Sequence, residues 1–351
     1  MKVTAVPITR ASVSHGRQRM LWDSDLQYTS MMRWAPDWFV PVDGLVRWRR
    51  TVGLAARAAS KVGDGSLRWR RSSSRRWLRD LGQVLPVHVS PETEVLYGHI
   101  AFPVARAGLP TVWSTAGVID ARPGSWIPEQ SARTHAKLIR RAAAVTCWSE
   151  LGKHGLIERL PEAADVDIAV VPPLVILSQP PPLARTSPDP VAIFIGADGR
   201  LKGVDSVVAA ARLVPEVRFE IITHTARPAE LPANVDWLGP RPHDEVLARL
   251  GSAAIHVFPS TTESLGGVVV ESMAAGVAQV VAAGAVTAEV MGDGGLTVDV
   301  VEPEAIAEAV RRLAGDEGLR RRCAAAGRER YAATYSPDAV GPQLEALIDK
   351  L

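Results

Sequence analysis

A chain of 351 residues, 47% of them hydrophobic, is long enough for two domains that each have a core. Its two cysteines, Cys147 and Cys323, lie far apart without metal-ligand spacing, which argues against a disulfide scaffold and a zinc site. No apolar run reaches the roughly 18 residues that a membrane span requires. The composition therefore predicts a globular protein of a reducing cytoplasm.

The net charge of +2 conceals an uneven distribution, because residues 1–90 contain 16 Lys/Arg against 6 Asp/Glu. Many of these arginines lie among tryptophans in two short runs: Arg47, Arg49, Arg50, Arg68, Arg70, Arg71, Arg75 and Arg76. Guanidinium groups pair with phosphates, and tryptophan suits a lipid interface or stacks on bases. The runs therefore suggest an anionic partner, with an ordinary solvated helix face as the alternative.

The first half of the chain predicts a series of strands. It contains five apolar runs, at residues 1–8, 93–100, 110–117, 143–149 and 167–173. The segment SQPPPLARTSPDP, residues 178–190, then contains five prolines, which predict an extended linker.

The second half alternates strands and helices more clearly. VAIFIG is a short apolar run that ends in glycine, as a buried parallel strand does. Further strands are expected near residues 219–223, 235–239, 255–260 and 278–283, with helices near 204–214, 243–253 and 303–315. This order predicts an α/β fold of two Rossmann-like, doubly wound domains. The predicted divisions are 1–177, the linker 178–190, 191–335, and a C-terminal helix at 336–351 that packs back on the first domain.

One motif, TTESLGGVVVESMAAG at residues 261–276, follows the strand IHVFPS. We expect Glu263 at the tip of the loop, and Gly266 and Gly267 at a helix N-terminus, where bare backbone N–H groups form an anion site. Glu271, in the second turn, would face the cleft and accept two sugar hydroxyls. The alternative is that Glu263 only caps the helix and Glu271 lies on the surface.

A second glycine-rich loop, GADGRLKGVD, follows the strand VAIFIG. It begins at Gly196 and places Arg200 and Lys202 where they can reach a diphosphate. It matches neither G-x-G-x-x-G nor a Walker motif, which argues against dinucleotide binding and P-loop chemistry. Two anion-binding loops with hydroxyl-seeking carboxylates instead suit a nucleotide diphosphate sugar.

These motifs resemble those of the retaining glycosyltransferases of family 4, which have the two-domain GT-B fold. The resemblance lies in FIGADGRLKGVD, VDWLGPR, HVFPSTTESLGGVVVESMAAGVAQVVAAGAVTAEVM and the tail EPEAIAEAVRRLAGDEGLRRRCAAAGRERYAATYS, and it covers residues 191–351 well. It implies two domains that face a cleft, a UDP-, GDP- or similar nucleotide-sugar donor, and neither metal nor other cofactor.

The resemblance also implies roles for individual residues. Glu263 would bind hydroxyls of the donor sugar and Glu271 those of the ribose, while Lys202 would neutralise the leaving diphosphate. The backbone around Leu265, Gly266 and Gly267 would hold the diphosphate. The loop after Trp237, with Gly239 and Arg241, would border the base, and Gly196 would end the first strand of the donor domain.

Three positions depart from the family pattern. An arginine and a histidine that the family commonly has are replaced by Ala197 and Ala116, and SHGRQR stands where a Gly-Gly loop is usual. We expect Arg200 to compensate for the first replacement by reaching the same phosphate and helping Lys202 to neutralise the leaving diphosphate. His99 is the remaining histidine candidate near the acceptor.

The sequence leaves the acceptor open. An envelope or lipid-linked acceptor at the inner membrane face, a nucleic-acid base and a soluble small molecule are ranked in that order. The alternative to an enzyme is a protein that binds a nucleotide sugar without catalysis, since a shared fold does not ensure a shared activity. No stable protein partner is expected.

Overall fold

The structure is a computed structural model that describes residues 3–6, 39–41, 95–99, 110–115, 139–173, 190–197, 199, 202–299 and 302–351. Two six-stranded sheets dominate it, and every strand pairing recorded is parallel.

The first sheet is built from the N-terminal half of the chain. Its strands are β1 (Val3–Val6), β2 (Phe39–Pro41), β3 (Val95–His99), β4 (Thr111–Thr115), β5 (Ala144–Cys147) and β6 (Ile168–Val170). They lie in the order β2-β1-β3-β4-β5-β6. Helix α1 (Glu150–Arg159) and a 3-10 turn (Pro161–Ala163) connect the last two strands.

The second sheet is built from the C-terminal half. Its strands are β7 (Val191–Gly196), β8 (Arg218–Thr223), β9 (Val235–Trp237), β10 (Ile255–Phe258), β11 (Ala278–Ala282) and β12 (Gly295–Val298), in the order β12-β11-β10-β7-β8-β9. The helices are α2 (Val204–Leu213), α3 (His243–Leu250), α4 (Gly267–Ala275), α5 (Val286–Met291), α6 (Pro303–Gly315), α7 (Glu317–Arg330) and α8 (Pro337–Ile348), with a π-helical turn at Tyr331–Tyr335.

Both faces of the second sheet are covered, and β7 shows why its sequence is continuously apolar. Side chains alternate across a strand, so Phe194 and Ile193 point to opposite faces. Phe194 belongs to the main core cluster with Phe219, whereas Ile193 packs with Ile222 and Leu250 in a second cluster. A strand between two helical layers has no polar face, so its sequence is a continuous apolar run rather than an alternating one.

The two halves of the chain also contact each other. Trp148, which follows β5, is part of the main core cluster of the second half. In the opposite direction, Val340 of α8 forms a small buried cluster with Val171 and the partly buried Ala169.

The predicted α/β class with two parallel doubly wound sheets is confirmed. The predicted linker at 178–190 lies outside the described residues except for Pro190, as do the two arginine and tryptophan runs. Within the described part of the chain, no helix combines the length and apolar character that crossing a bilayer demands.

Candidate functional site

The candidate site lies where β7 and β10 end, side by side, at the carboxyl edge of the second sheet. Loops at this edge form the ligand crevice of open α/β folds. The loop after β7 and the loop after β10 pack closely: a Cβ on Gly203 of the first would lie 3.0 Å from the ring of Pro259 in the second. Gly203 has a φ of +85°, and Gly199 has no room for a side chain either, since its Cβ would lie 2.7 Å from Thr223 Oγ1. The glycines of the first loop therefore allow it to lie against its neighbours.

An ion pair joins the two loops. The Lys202 ammonium lies 2.5 Å from Glu263 Oε1, and it also donates to the Thr262 carbonyl oxygen at 3.4 Å. The Lys202 and Glu263 side chains are 26% and 11% exposed, so the pair is largely shielded from water. An ammonium has three N–H donors, of which Lys202 uses two on Glu263 and the Thr262 carbonyl oxygen, so the third can serve a ligand.

Helix α4 begins directly after this ion pair. Its N-cap is Gly266, with a φ of +81°, and no side chain caps the helix. Glu263 is thus not the cap of α4, contrary to the alternative that the sequence left open. A Cβ on Gly266 would lie 2.8 Å from Thr287 Cγ2, whereas one on Gly267 would meet nothing within 4 Å. Because the first N–H groups of a helix lack intrahelical partners, this end of α4 suits an anion.

Glu271, one turn further along α4, is paired with a residue that the sequence did not single out. His243, the first residue of α3, places its Nε2 2.9 Å from Glu271 Oε1. The Glu271 side chain is only 15% exposed, so it is not an ordinary surface residue. The hydrogen bond that His243 donates to Glu271 raises the pKa of His243, while partial burial opposes the change.

A buried polar network fixes the inner face of α4. Ser272 Oγ donates to the Val268 carbonyl oxygen at 2.7 Å, and Gln279 Nε2 donates to the Val269 carbonyl oxygen at 3.2 Å. The ring nitrogen Nδ1 of His256 lies 2.9 Å from Ser272 Oγ and 3.1 Å from Gln279 Oε1. Since both oxygens accept here, His256 carries its proton on Nδ1, and burial lowers its pKa to about 4. The network ties β10 and β11 to α4 without any charge.

The loop that was predicted to border the base follows β9. Gly239 has a φ of +68° with open space around its Cβ position. Arg241 makes an ion pair with Glu245 at 3.1 Å and donates to the Pro240 carbonyl oxygen at 3.0 Å. Its guanidinium is therefore held against the start of α3.

The structure describes some of the other predicted site residues and not all of them. Gly196 ends β7, and Leu265 is buried in the main core cluster just before α4. His99 is the last residue of β3 and pairs with Ser114 of β4. Arg200 and Ala116 lie outside the described residues. Ala197, by contrast, is an exposed residue whose carbonyl oxygen accepts from the His224 N–H at 3.1 Å.

The site thus combines a shielded Lys202–Glu263 pair, a glycine-capped helix N-terminus and a second carboxylate, Glu271, on the same helix. The amides and the ammonium suit a diphosphate, and carboxylates accept sugar hydroxyls. Among the described residues, no cluster of three or more His, Cys, Asp or Glu side chains is arranged to hold a metal ion.

Comparisons with known proteins agree with the class of fold. Residues 177–330 match the family model described as glycosyl transferases group 1. The chain is 33% identical to the α-maltose-1-phosphate synthase of Mycolicibacterium smegmatis, over 42% of this chain and 44% of that protein. The match thus spans less than half of the length of this curated relative.

Solved structures extend the likeness to the whole chain. The structure of Anabaena HepE in complex with UDP has a TM-score of 0.68 at 15% identity and covers 100% of both chains. Sucrose-phosphate synthase from Thermosynechococcus elongatus has a TM-score of 0.62 at 16% identity, over 76% of this chain and 82% of that one. WaaG, a glycosyltransferase involved in lipopolysaccharide biosynthesis, has a TM-score of 0.57 at 12% identity, over 99% and 98%. Together with the two parallel sheets, these likenesses establish the GT-B fold.

Proposed function

We propose that this protein is a retaining glycosyltransferase that transfers a sugar from a nucleotide diphosphate sugar to an acceptor hydroxyl, without a metal ion. The observation that carries the proposal is the Lys202–Glu263 ion pair, which joins the two loops directly in front of the N-terminus of α4. The family match over residues 177–330 includes all of these residues.

In the proposed mechanism the chain stabilises the leaving group. As the bond between the anomeric carbon and the diphosphate breaks, negative charge grows on the diphosphate. The Lys202 ammonium and the first amides of α4 would meet that charge, and donors fixed before the reaction need no reorganisation. The acceptor oxygen would bond to the anomeric carbon on the face from which the diphosphate leaves, while the departing phosphate oxygen takes the acceptor proton. This gives retention without a carboxylate nucleophile.

The two carboxylates would orient the donor. Glu263 would accept hydroxyls of the transferred sugar beside Lys202, and Glu271 would accept the ribose hydroxyls from the second turn of α4. Both side chains are more than four-fifths shielded from water, so hydrogen bonds to them are formed in a poorly solvated site. Approach of the two halves of the chain would exclude water from the reacting sugar.

Binding of the donor is the first test. Thermal unfolding would be recorded with UDP, GDP, ADP, UDP-glucose and GDP-mannose, because a ligand of the folded state raises stability by RT ln(1 + [L]/Kd). The nucleotides that carry one particular base should raise the unfolding temperature of the wild-type protein and of Glu345→Ala, an exposed control on α8. They should not raise that of Glu271→Ala. No shift with any of these compounds would contradict the proposal.

Transfer and its stereochemistry are the second test. The donor that binds would be followed for slow hydrolysis or transfer, and the anomeric configuration of the product would be read by proton NMR. An α-linked donor should give an α-linked product. Binding with neither transfer nor hydrolysis would instead indicate a non-catalytic nucleotide-sugar-binding protein.

For the acceptor we propose an anionic or membrane-associated molecule. The support comes from the sequence of residues 47–79, where arginines and tryptophans alternate in two runs. The protein should sediment with vesicles that contain anionic lipid and not with neutral vesicles. Salt-dependent retention on DNA without vesicle binding would favour a nucleic-acid acceptor, and failure of both would leave a soluble small molecule.

A further inference from the structure

His243 is placed by the fold rather than by its neighbours in sequence. It is the first residue of α3, and the helix after it packs against α4. Its Nε2 atom lies 2.9 Å from Oε1 of Glu271, 28 residues later in the chain. The contact therefore links the loop that follows β9 to the second turn of α4.

The charges around His243 favour this one hydrogen bond. Glu271 on α4 has the largest effect on the pKa of His243 and raises it. Asp244, the next residue on α3, raises it further. Arg241, the nearest cation in the loop before it, is held by Glu245 at 3.1 Å. The imidazole thus keeps its proton to a higher pH than an isolated histidine does.

The geometry leaves Glu271 able to bind a ligand while it is held. A carboxylate has about four acceptor positions on two oxygens, and His243 uses one of them on Oε1. Among the described residues His243 is the recorded hydrogen-bond partner of this carboxylate, so Oε2 and the second lone pair of Oε1 can accept two neighbouring hydroxyls. A glutamate side chain that is already fixed loses less rotational freedom when the ligand binds.

We propose that His243 is a positioning residue of the donor site, whose Nε2–H fixes the Glu271 carboxylate in the orientation that receives the two ribose hydroxyls. The proposal rests on the proposed function, because it assigns Glu271 to the ribose of the donor. It predicts that donor binding depends on His243 only through those two hydroxyls.

The test compares His243→Phe and His243→Gln with the wild-type protein in calorimetric titrations with UDP, GDP and ADP. The phenylalanine cannot donate a hydrogen bond, and the glutamine retains an N–H donor without a charge. For the nucleotide that binds, His243→Phe should weaken affinity roughly tenfold, as expected when a hydrogen bond to a charged group is lost. His243→Gln should recover most of this loss.

A nucleotide without ribose hydroxyls separates positioning from general damage to the fold. With the 2′,3′-dideoxy form of the same nucleotide, wild type and His243→Phe should bind equally, because Glu271 then has no hydroxyl to accept. A tenfold loss that persists with the dideoxy ligand would overturn the proposal. His154→Gln, which removes an exposed histidine on α1, is the matched control and should bind as wild type does.

The pH dependence provides a readout that a merely structural histidine would not change. As pH rises through the elevated pKa of His243, the imidazolium loses its charge, and Nε2–H remains in only one of two neutral tautomers. The ratio of wild-type to His243→Gln affinity should therefore fall with rising pH, and the ionisation of the nucleotide cancels in this ratio. A flat ratio would contradict the proposal.

Failure of the two proposals can be distinguished. If none of the three nucleotides binds the wild-type protein, the proposed function fails and this inference fails with it. If one nucleotide binds and His243→Phe binds it equally well, only the inference fails.

Discussion

The Glu289 carboxylate lies at the N-terminus of a helix from the other half of the chain, where its Oε1 accepts a hydrogen bond from the Glu150 N–H at 2.7 Å. Its Oε2 accepts a second one from the next N–H, that of Leu151, at 2.9 Å. Arg330 holds the backbone of α5 in place by donating to the Glu289 and Val290 carbonyl oxygens. The carboxylate thus caps α1 from the other half of the same chain, 139 residues away in sequence.

The first prediction concerns this cap of α1 by Glu289. Glu289→Ala leaves two N–H groups of α1 without their charged acceptor, so the free energy of unfolding should fall by about 1–2 kcal/mol. Urea denaturation measures the loss, and Glu289→Gln should retain part of the stability because its amide oxygen still accepts. Glu345→Ala removes an exposed glutamate of α8 and serves as the control. Equal stability of Glu289→Ala and this control would show that the cap contributes nothing.

The second prediction concerns the ion pair between the two donor loops. Lys202→Ala removes the cation that would neutralise the leaving diphosphate, and Glu263→Ala removes the carboxylate beside the sugar. Each should lower kcat at least about a hundredfold, the loss typical when one fixed electrostatic donor is removed. Steady-state transfer or donor hydrolysis measures the effect.

An exposed ion pair provides the matched control for these two variants. Arg321 pairs with Glu317 at 2.7 Å, but their side chains are 66% and 51% exposed. Arg321→Ala should leave kcat unchanged, since exposed pairs contribute little. Full activity in both Lys202→Ala and Glu263→Ala would contradict the proposed function.

The sequence predicts elements best where burial dictates composition. VAIFIG coincides with β7 because a strand covered on both faces must be apolar throughout. β12, at the edge of the second sheet, was not predicted, since GLTV has two partly exposed residues, one exposed residue and one buried residue. Such a short edge strand has no distinctive pattern.

The sequence placed Lys202 and Glu263 in two loops at one edge of the sheet, but it did not predict the contacts that the site residues make. The two loops were expected to hold Lys202 and Glu263, and the order of strands, with β10 beside β7, brings them together. The contacts of Glu271 with His243 and of Glu289 with Glu150 span 28 and 139 residues. Both contacts depend on which helices pack together, and a single sequence contains no pattern that reveals such pairs.

The third prediction concerns acid stability. Burial lowers the pKa of His256 to about 4, whereas in the unfolded chain it should be about 6.5. Between these two values the unfolded chain binds the additional proton, so the free energy of unfolding should decrease as pH falls from about 6.5 to about 4, by roughly 3 kcal/mol. Denaturation curves across this range measure the slope.

A variant separates this contribution from that of the other titrating groups. His256→Asn keeps an N–H near Ser272 and Gln279 but cannot titrate, so its stability should change less over the same pH range, even if it is lower throughout. His154→Asn, on the exposed face of α1, should retain the wild-type slope. A slope that His256→Asn leaves unchanged would show that His256 does not contribute.

The fourth prediction compares two adjacent glycines at the start of α4. Gly266→Ala must adopt a φ of +81° and brings its Cβ within 2.8 Å of Thr287 Cγ2, so unfolding free energy should fall by about 1–2 kcal/mol or more. Gly267→Ala meets nothing within 4 Å and replaces a glycine at the first helical position, so stability should be unchanged or rise by up to about 1 kcal/mol. If the diphosphate approaches this end of the helix, the same Gly267→Ala methyl should weaken nucleotide binding in a fully folded protein. Urea denaturation and calorimetric titration of each variant measure the two effects separately, and a Gly267→Ala protein that binds UDP, GDP or ADP as wild type does would place the diphosphate elsewhere.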